Sequence, residues 1–227
     1  VKHALAETLE QLEAHYGAQT PCWPVDPYLF LIWWHCGYPA SDAACARGWK
    51  ALTESVGTDL ERILAASNAQ LTRALKAGGM VPEKRAMRLK QIVARVLDEC
   101  GGDLRGHLMA APAKARKVLR KFPNIGDPGA DRILLFAGIE PVAAVPSNCP
   151  HVLVRIQRGP ERLNYGLIYR DAKAMIEAEI AESFDARQRA YLLLKRHGQE
   201  VCKRTKPACA ACSIRNRCTY FASRKQQ

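Results

Sequence analysis

Apolar positions along the chain recur at helical spacing. In "PEKRAMRLKQIVARVLDEC", residues 82–100, Leu89, Ile92, Val93 and Val96 fall on one face and most of the lysines and arginines fall elsewhere. No stretch alternates apolar and polar residues between turn signals, so no strand is expected. The periodicity predicts helices near 2–16, 27–36, 42–56, 59–65, 68–77, 83–99, 112–120, 129–138, 146–157, 166–182 and 186–200. Punctuation agrees: GT at 57–58, GG at 78–79 and 101–102, and GP at 159–160. Ser67 followed by Gln70 is a capping-box signature. The fold class read from this pattern is all-α.

A chain of 227 residues can form one large or two small domains with a substantial core. Its net charge of +12 changes the picture, because such a surplus favours a polyanionic partner, and nucleic acid is the commonest. No run approaches the ~20 apolar residues of a membrane span, and no targeting pattern opens the chain, so no membrane partner is expected. Of nine cysteines, Cys22, Cys36, Cys45, Cys100 and Cys149 are scattered and four cluster near the C-terminus. That distribution argues against a secreted disulfide framework. It points to a reducing compartment, such as a bacterial cytoplasm, and to one metal site.

The cluster is "CKRTKPACAACSIRNRC": Cys202, Cys209, Cys212 and Cys218, spaced C-x6-C-x2-C-x5-C. Four thiolates within 17 residues surround one centre only if the chain loops tightly around it. Zinc is one reading, but it usually uses two short Cys pairs and only one is present. The longer loops suit a larger iron–sulfur cluster. Nine lysines and arginines (195, 196, 203, 204, 206, 215, 217, 224, 225) against the single acid Glu200 make residues 195–227 a candidate phosphate-contacting surface.

A second motif is "FPNIGDPGADRILLFAG", residues 122–138: an apolar residue, a tight turn, then an amphipathic segment. Asn124, Gly126 and Gly129 all tolerate positive φ, and Lys114, Arg116, Lys117, Arg120 and Lys121 lead into the turn. Two helices joined by such a turn suit an anion.

This hairpin, followed by the four-cysteine spacing, resembles the endonuclease III superfamily of helix-hairpin-helix DNA glycosylases. The likeness covers most of the chain: residues 82–104 resemble the helix before the hairpin, and "AVPSNCPHVLVRI" (144–156) resembles the segment after it. The resemblance implies a two-domain helical fold binding double-stranded, damaged DNA across its cleft as a monomer. It implies a helical barrel over 28–140, and a second domain from 1–27 and 141–227. In that second domain a loop at 201–219 would hold a [4Fe–4S] cluster on the four cysteines. It places DNA contacts at Lys121, Asn124, Ile125, Gly126, Gly129 and Arg132, with backbone amides of the turn gripping a phosphate.

At the chemistry the chain departs from the family. The lysine that drives strand cleavage is replaced by Pro128, and the usual aspartate by Pro146. The position matching the glutamate of adenine-specific relatives holds Trp34. Asp127 and Asp131 flank the hairpin as substitute carboxylates, although turn capping and the helix dipole also account for them. His35 and His151 are weaker candidates still. "YLFLIWWHCGY" at 28–38 offers Trp33, Trp34 and Tyr38 as an aromatic wall for a flipped base, against a default of core packing. The expectation is a base-excision-repair glycosylase that releases a base without lysine-based lyase chemistry. A catalytically silent DNA binder is the alternative, and a zinc-stapled RNA binder a third reading.

Overall fold

A computed structural model describes residues 4–161 and 164–224. Among these residues there are thirteen α-helices and no strand. They are α1 (Leu5–Tyr16), α2 (Pro27–His35), α3 (Asp42–Ser55), α4 (Leu60–Ala65), α5 (Asn68–Leu75), α6 (Pro82–Cys100), α7 (Leu104–Ala110), α8 (Pro112–Leu119), α9 (Asp127–Phe136), α10 (His151–Arg158), α11 (Tyr165–Glu179), α12 (Phe184–Glu200) and α13 (Thr219–Arg224). Single 3₁₀ turns at Lys76–Gly78, Cys209–Ala211 and Arg215–Arg217 complete the set. The first predicted helix included residues 2–3, which lie outside the described residues.

The caps explain most boundaries. Asp26 accepts from the Leu29 amide at 3.0 Å and Pro27 presets the first turn of α2. Ser67 and Gln70 form the reciprocal capping box that starts α5. Two helix starts differ from the periodicity, and two short helices were not predicted. The helix placed at 146–157 begins only at His151, because Pro146 and Pro150 hold the preceding residues in turns. The helix placed at 129–138 begins at Asp127, since Pro128 is tolerated in a first turn. Short α7 and α13 were absent from the prediction; α7 has seven residues, one of them Gly106, and is started by the Asp103 carboxylate.

The chain divides into two compact units, one contiguous (residues 21–133) and one built from residues 1–20 and 134–227. In the contiguous unit, α6 turns Leu89, Ile92, Val93 and Val96 inward, as the spacing required, and packs against α5, α4 and α2. Arg85 also points inward and has no solvent exposure. Its guanidinium donates to the carbonyls of Cys36, Leu75 (2.9 Å), Gly79 (2.7 Å) and Met80 (3.1 Å). It therefore caps the C-terminal ends of α2 and α5 together and secures the loop leading to α6. Gly78 makes this approach possible: a Cβ there would lie 1.7 Å from the Cys36 carbonyl oxygen.

The discontinuous unit has its own core. Leu5, Leu9 and Leu12 of α1 pack with Val152, Leu153, Leu193, Leu194 and Ile214. The Leu5 amide at the open end of α1 donates to Glu179 at 2.9 Å, and Arg189 of α12 pairs with Glu13 at 2.7 Å. Both contacts tie α1 to the C-terminal helices.

Candidate nucleic-acid interface and cysteine centre

The α8–turn–α9 hairpin is closed by short-range bonds: the Phe122 amide to the Leu119 carbonyl, Ile125 to Phe122, and Ala130 to Gly126. Phe122 and Ile125 are buried and anchor the turn from below. Asn124 adopts φ +57°, the left-handed conformation that asparagine tolerates better than most residues. Its amide oxygen, oriented to satisfy both groups, accepts from Arg88 Nε at 3.2 Å and Nη1 at 2.9 Å. Gly126 and Gly129, which tolerate positive φ, do not adopt it. Gly126 instead stands at the head of α9, where a Cβ would touch only Pro128 at 3.8 Å. Gly129 lies inside the helix and leaves room for Ile125 at 3.4 Å. By helix geometry the first amides of α9 have no acceptor within the helix, and no bulky side chain rises at Gly126.

The charges around the turn are partly committed. Arg116 pairs with wholly buried Asp131, tying α8 to α9, so Asp131 serves the hairpin's structure and not its surface. Arg120 lies 3.4 Å from the exposed Asp127, and Lys121 2.6 Å from Glu99. Lys114 and Lys117 remain exposed.

Arg132, expected at the phosphate, is 4% exposed. Its guanidinium carbon lies 3.7 Å from the centre of the Trp23 ring and 4.8 Å from that of Phe30, a cation–π stack inside the contiguous unit. The next turn of α9 points inward, and the arginine follows it. Trp33 is also buried in this core, which removes it from the proposed base wall. Trp34 and Tyr38 stay half-buried and stack on each other at 4.6 Å. His35 is wholly buried; its Nδ1 donates to the Leu31 carbonyl at 2.8 Å, and burial pushes its pKa down to about 4.

In the discontinuous unit, Cys202, Cys209, Cys212 and Cys218 line one pocket of about 340 Å³, counting its open mouth, with Ile156, His197 and Ile214. Burial raises the pKa of Cys202 to about 11 and also raises those of Cys212 and Cys218, while neighbouring thiols add repulsion. A cationic centre would relieve both penalties, so the donor set fits a thiolate-bound metal group. Among the described residues no three Cys, His, Asp or Glu side chains are arranged to hold a single metal ion.

Two residues of α10 hold the loop. His151 Nε2 bonds the Cys202 carbonyl at 2.9 Å, so this histidine anchors the loop. Arg155 is 3% exposed and donates to the carbonyls of Lys203 (3.0 Å) and Arg204 (2.8 Å). It also grips Glu161 with two bonds of 2.5 and 2.7 Å. Burial opposes ionisation of Glu161, but this pairing outweighs it and lowers the pKa. From α12, His197 bonds Tyr16 Oη through Nδ1 (3.0 Å) and Cys212 Sγ through Nε2 (3.6 Å).

The basic C-terminal surface is smaller than the count of cations implied. Lys195 is buried, Arg196 pairs with Glu200 at 2.7 Å, Arg217 pairs with Glu7, and Lys225 lies outside the described residues. Sequence reasoning missed Arg85, Arg88, Arg155, Tyr16 and His197. The available signal was an arginine in the middle of the apolar run "HVLVRI" and a histidine five residues before the first clustered cysteine.

Fold and site together define an all-α helix-hairpin-helix protein with a four-cysteine loop near its C-terminus. No family model matches the chain. It is 26% identical over 186 residues to the endonuclease III of Rickettsia prowazekii (strain Madrid E), covering 80% of this chain and 78% of that one. Among solved structures, it matches a non-covalent endonuclease III–DNA complex with a TM-score of 0.75 and 18% identity, over 98% of this chain and 97% of the other. A thermostable thymine-DNA glycosylase matches with a TM-score of 0.74 and 20% identity, over 96% of each chain. The chain therefore has the fold of these endonuclease III-like structures and is similar in sequence to the Rickettsia endonuclease III.

Proposed function

We propose that the chain is a base-excision-repair DNA glycosylase that releases a damaged base from duplex DNA without lysine-based strand cleavage. The hairpin carries this reading. Its turn leaves the amides of Gly126, Asp127 and Gly129 at the head of a helix, where dipole and N–H groups favour a phosphate. Pro128 supplies neither an amide donor nor an amine, so no Schiff base with the sugar forms at the position where relatives carry lysine. Base release then proceeds by water. With Asp131 buried against Arg116, Asp127 is the hairpin carboxylate open to solvent, and we assign it the stabilising charge. Loss of a positioned acid or base costs on the order of 10²–10⁴ in rate, so bases with labile glycosidic bonds are the favoured substrates. The stacked Trp34–Tyr38 pair would offer such a base an aromatic face.

The four cysteines would hold a [4Fe–4S] cluster, since all four line one pocket and their spacing has only one short Cys pair where zinc usually takes two. When bound, the cluster would staple the loop and supply a one-electron centre. A second reading, a silent DNA binder, is favoured by Pro146, which stands where relatives carry a carboxylate. A panel of damaged duplexes, scored separately for base release and strand cleavage, decides. Release without cleavage is expected. Cleavage trapped by borohydride and lost on changing one lysine overturns the proposal, and binding with no release from any duplex selects the silent binder.

A further inference from the structure

The pair Tyr16–His197 belongs neither to the hairpin nor to the cysteine set, yet it reaches a cysteine sulfur from inside the core. His197 is 1% exposed, and a buried imidazole must satisfy two nitrogens. One lies 3.0 Å from Tyr16 Oη and the other 3.6 Å from Cys212 Sγ, which is within the range of an N–H···S bond. Two proton arrangements fit a free thiol: Cys212 can donate to Nε2, or Nε2 can donate to sulfur. A metal-bound thiolate has no proton, which leaves one arrangement. Nε2 must carry the hydrogen and donate to Sγ, Nδ1 must then accept, and the Tyr16 hydroxyl must donate to it.

We infer that Tyr16 and His197 form a hydrogen-bond relay that orients an N–H onto the Cys212 ligand sulfur and sets the reduction potential of the cluster. This rests on the cluster reading above. An N–H pointed at a ligand sulfur draws off negative charge, and the reduced state has more to draw off, so the bond raises the potential. Tyr16 is a positioning residue at the last turn of α1, and it selects the imidazole tautomer without touching the cluster.

The test is the midpoint potential of the whole chain, purified anaerobically with iron and sulfide counted, together with the Fe–S(Cys) stretching bands by resonance Raman. His197→Phe is expected to weaken reduction about tenfold, which is a downward shift of about 59 mV for a one-electron couple. His197→Gln restores a donor and should return most of that shift. Tyr16→Phe should move the potential the same way by a smaller amount and raise the stretching frequency. If His197→Phe does not load a cluster, Tyr16→Phe decides alone. Wild-type potential and bands in Tyr16→Phe overturn the relay, as do equal shifts in His197→Phe and His197→Gln. Wild-type protein with no iron or sulfide overturns both the relay and the cluster reading.

Discussion

Replacing Arg85 by methionine tests the packing of the contiguous unit at its most exposed assumption, a buried cation held only by neutral carbonyls. Its four acceptors come from the end of α2, the end of α5 and the loop before α6. Two of the four, at Cys36 and Leu75, are buried, and leaving each without a donor costs about 1–3 kcal/mol, whereas those at Gly79 and Met80 can turn to water. Removing the charge returns part of this as relieved desolvation, which leaves a net loss of about 2–3 kcal/mol. At about 2–4 °C per kcal/mol for a chain of this size, the transition should fall by about 4–12 °C. All four tryptophans, Trp23, Trp33, Trp34 and Trp49, lie within residues 21–133, so intrinsic fluorescence during heating reports on this unit specifically. Arg85→Lys should recover little, because one ammonium does not span carbonyls on three segments. A fluorescence midpoint within about 2 °C of wild type for Arg85→Met would refute the claim that the guanidinium holds these segments together.

Other outcomes can be stated more briefly. Gly126→Val should leave thermal stability within about 1 kcal/mol, since only Pro128 is near, yet weaken duplex binding by crowding the amides; unchanged affinity in a salt titration would remove the hairpin from the interface. Cys212→Ala should yield protein without iron or sulfide and with faster proteolysis in the 202–218 loop, as read by mass spectrometry. Because burial lowers the folded pKa of His35 to about 4, the unfolded chain binds the extra proton first as pH falls below about 6.5. His35 should then contribute a drop of at most about 1.4 kcal/mol per pH unit between 6.5 and 4, beside those of the buried His151 and His197, and His35→Gln should lessen the slope by its share in urea titrations.

Much of this protein could be read before its coordinates. The amphipathic run from Pro82 to Cys100 is long enough for its face to be unambiguous, and the Ser67 cap lies wholly within four residues. The cysteine pocket was legible for the same reason, since its donors are close in sequence. Contacts across long separations were not. Arg132 sits in a segment full of turn and charge signals, and nothing local tells that Trp23, more than a hundred residues earlier, waits for it. Arg85 and Arg155 read as solvated cations by composition, whereas both are interior struts. All of Arg85's partners and two of Arg155's, besides Glu161, are backbone carbonyls, which leave no trace in the choice of side chains. The positive φ of the turn lies at Asn124 and not at Gly126, and Asn124 is also the residue that meets Arg88, a contact across 36 positions that local sequence does not announce.

The two units also differ in when they can exist. The contiguous unit is complete once residue 133 has emerged, and its contacts join helices near one another in the chain. Helix α1 is made first but packs on α12, which begins at Phe184. At a synthesis rate of about 5–20 residues per second, the apolar face of Leu5, Leu9 and Leu12 waits roughly 10–35 s for its partner. During that interval it is an unpaired apolar face on a nascent chain. The cysteine loop, residues 202–218, comes later still, after every helix that forms the core behind it.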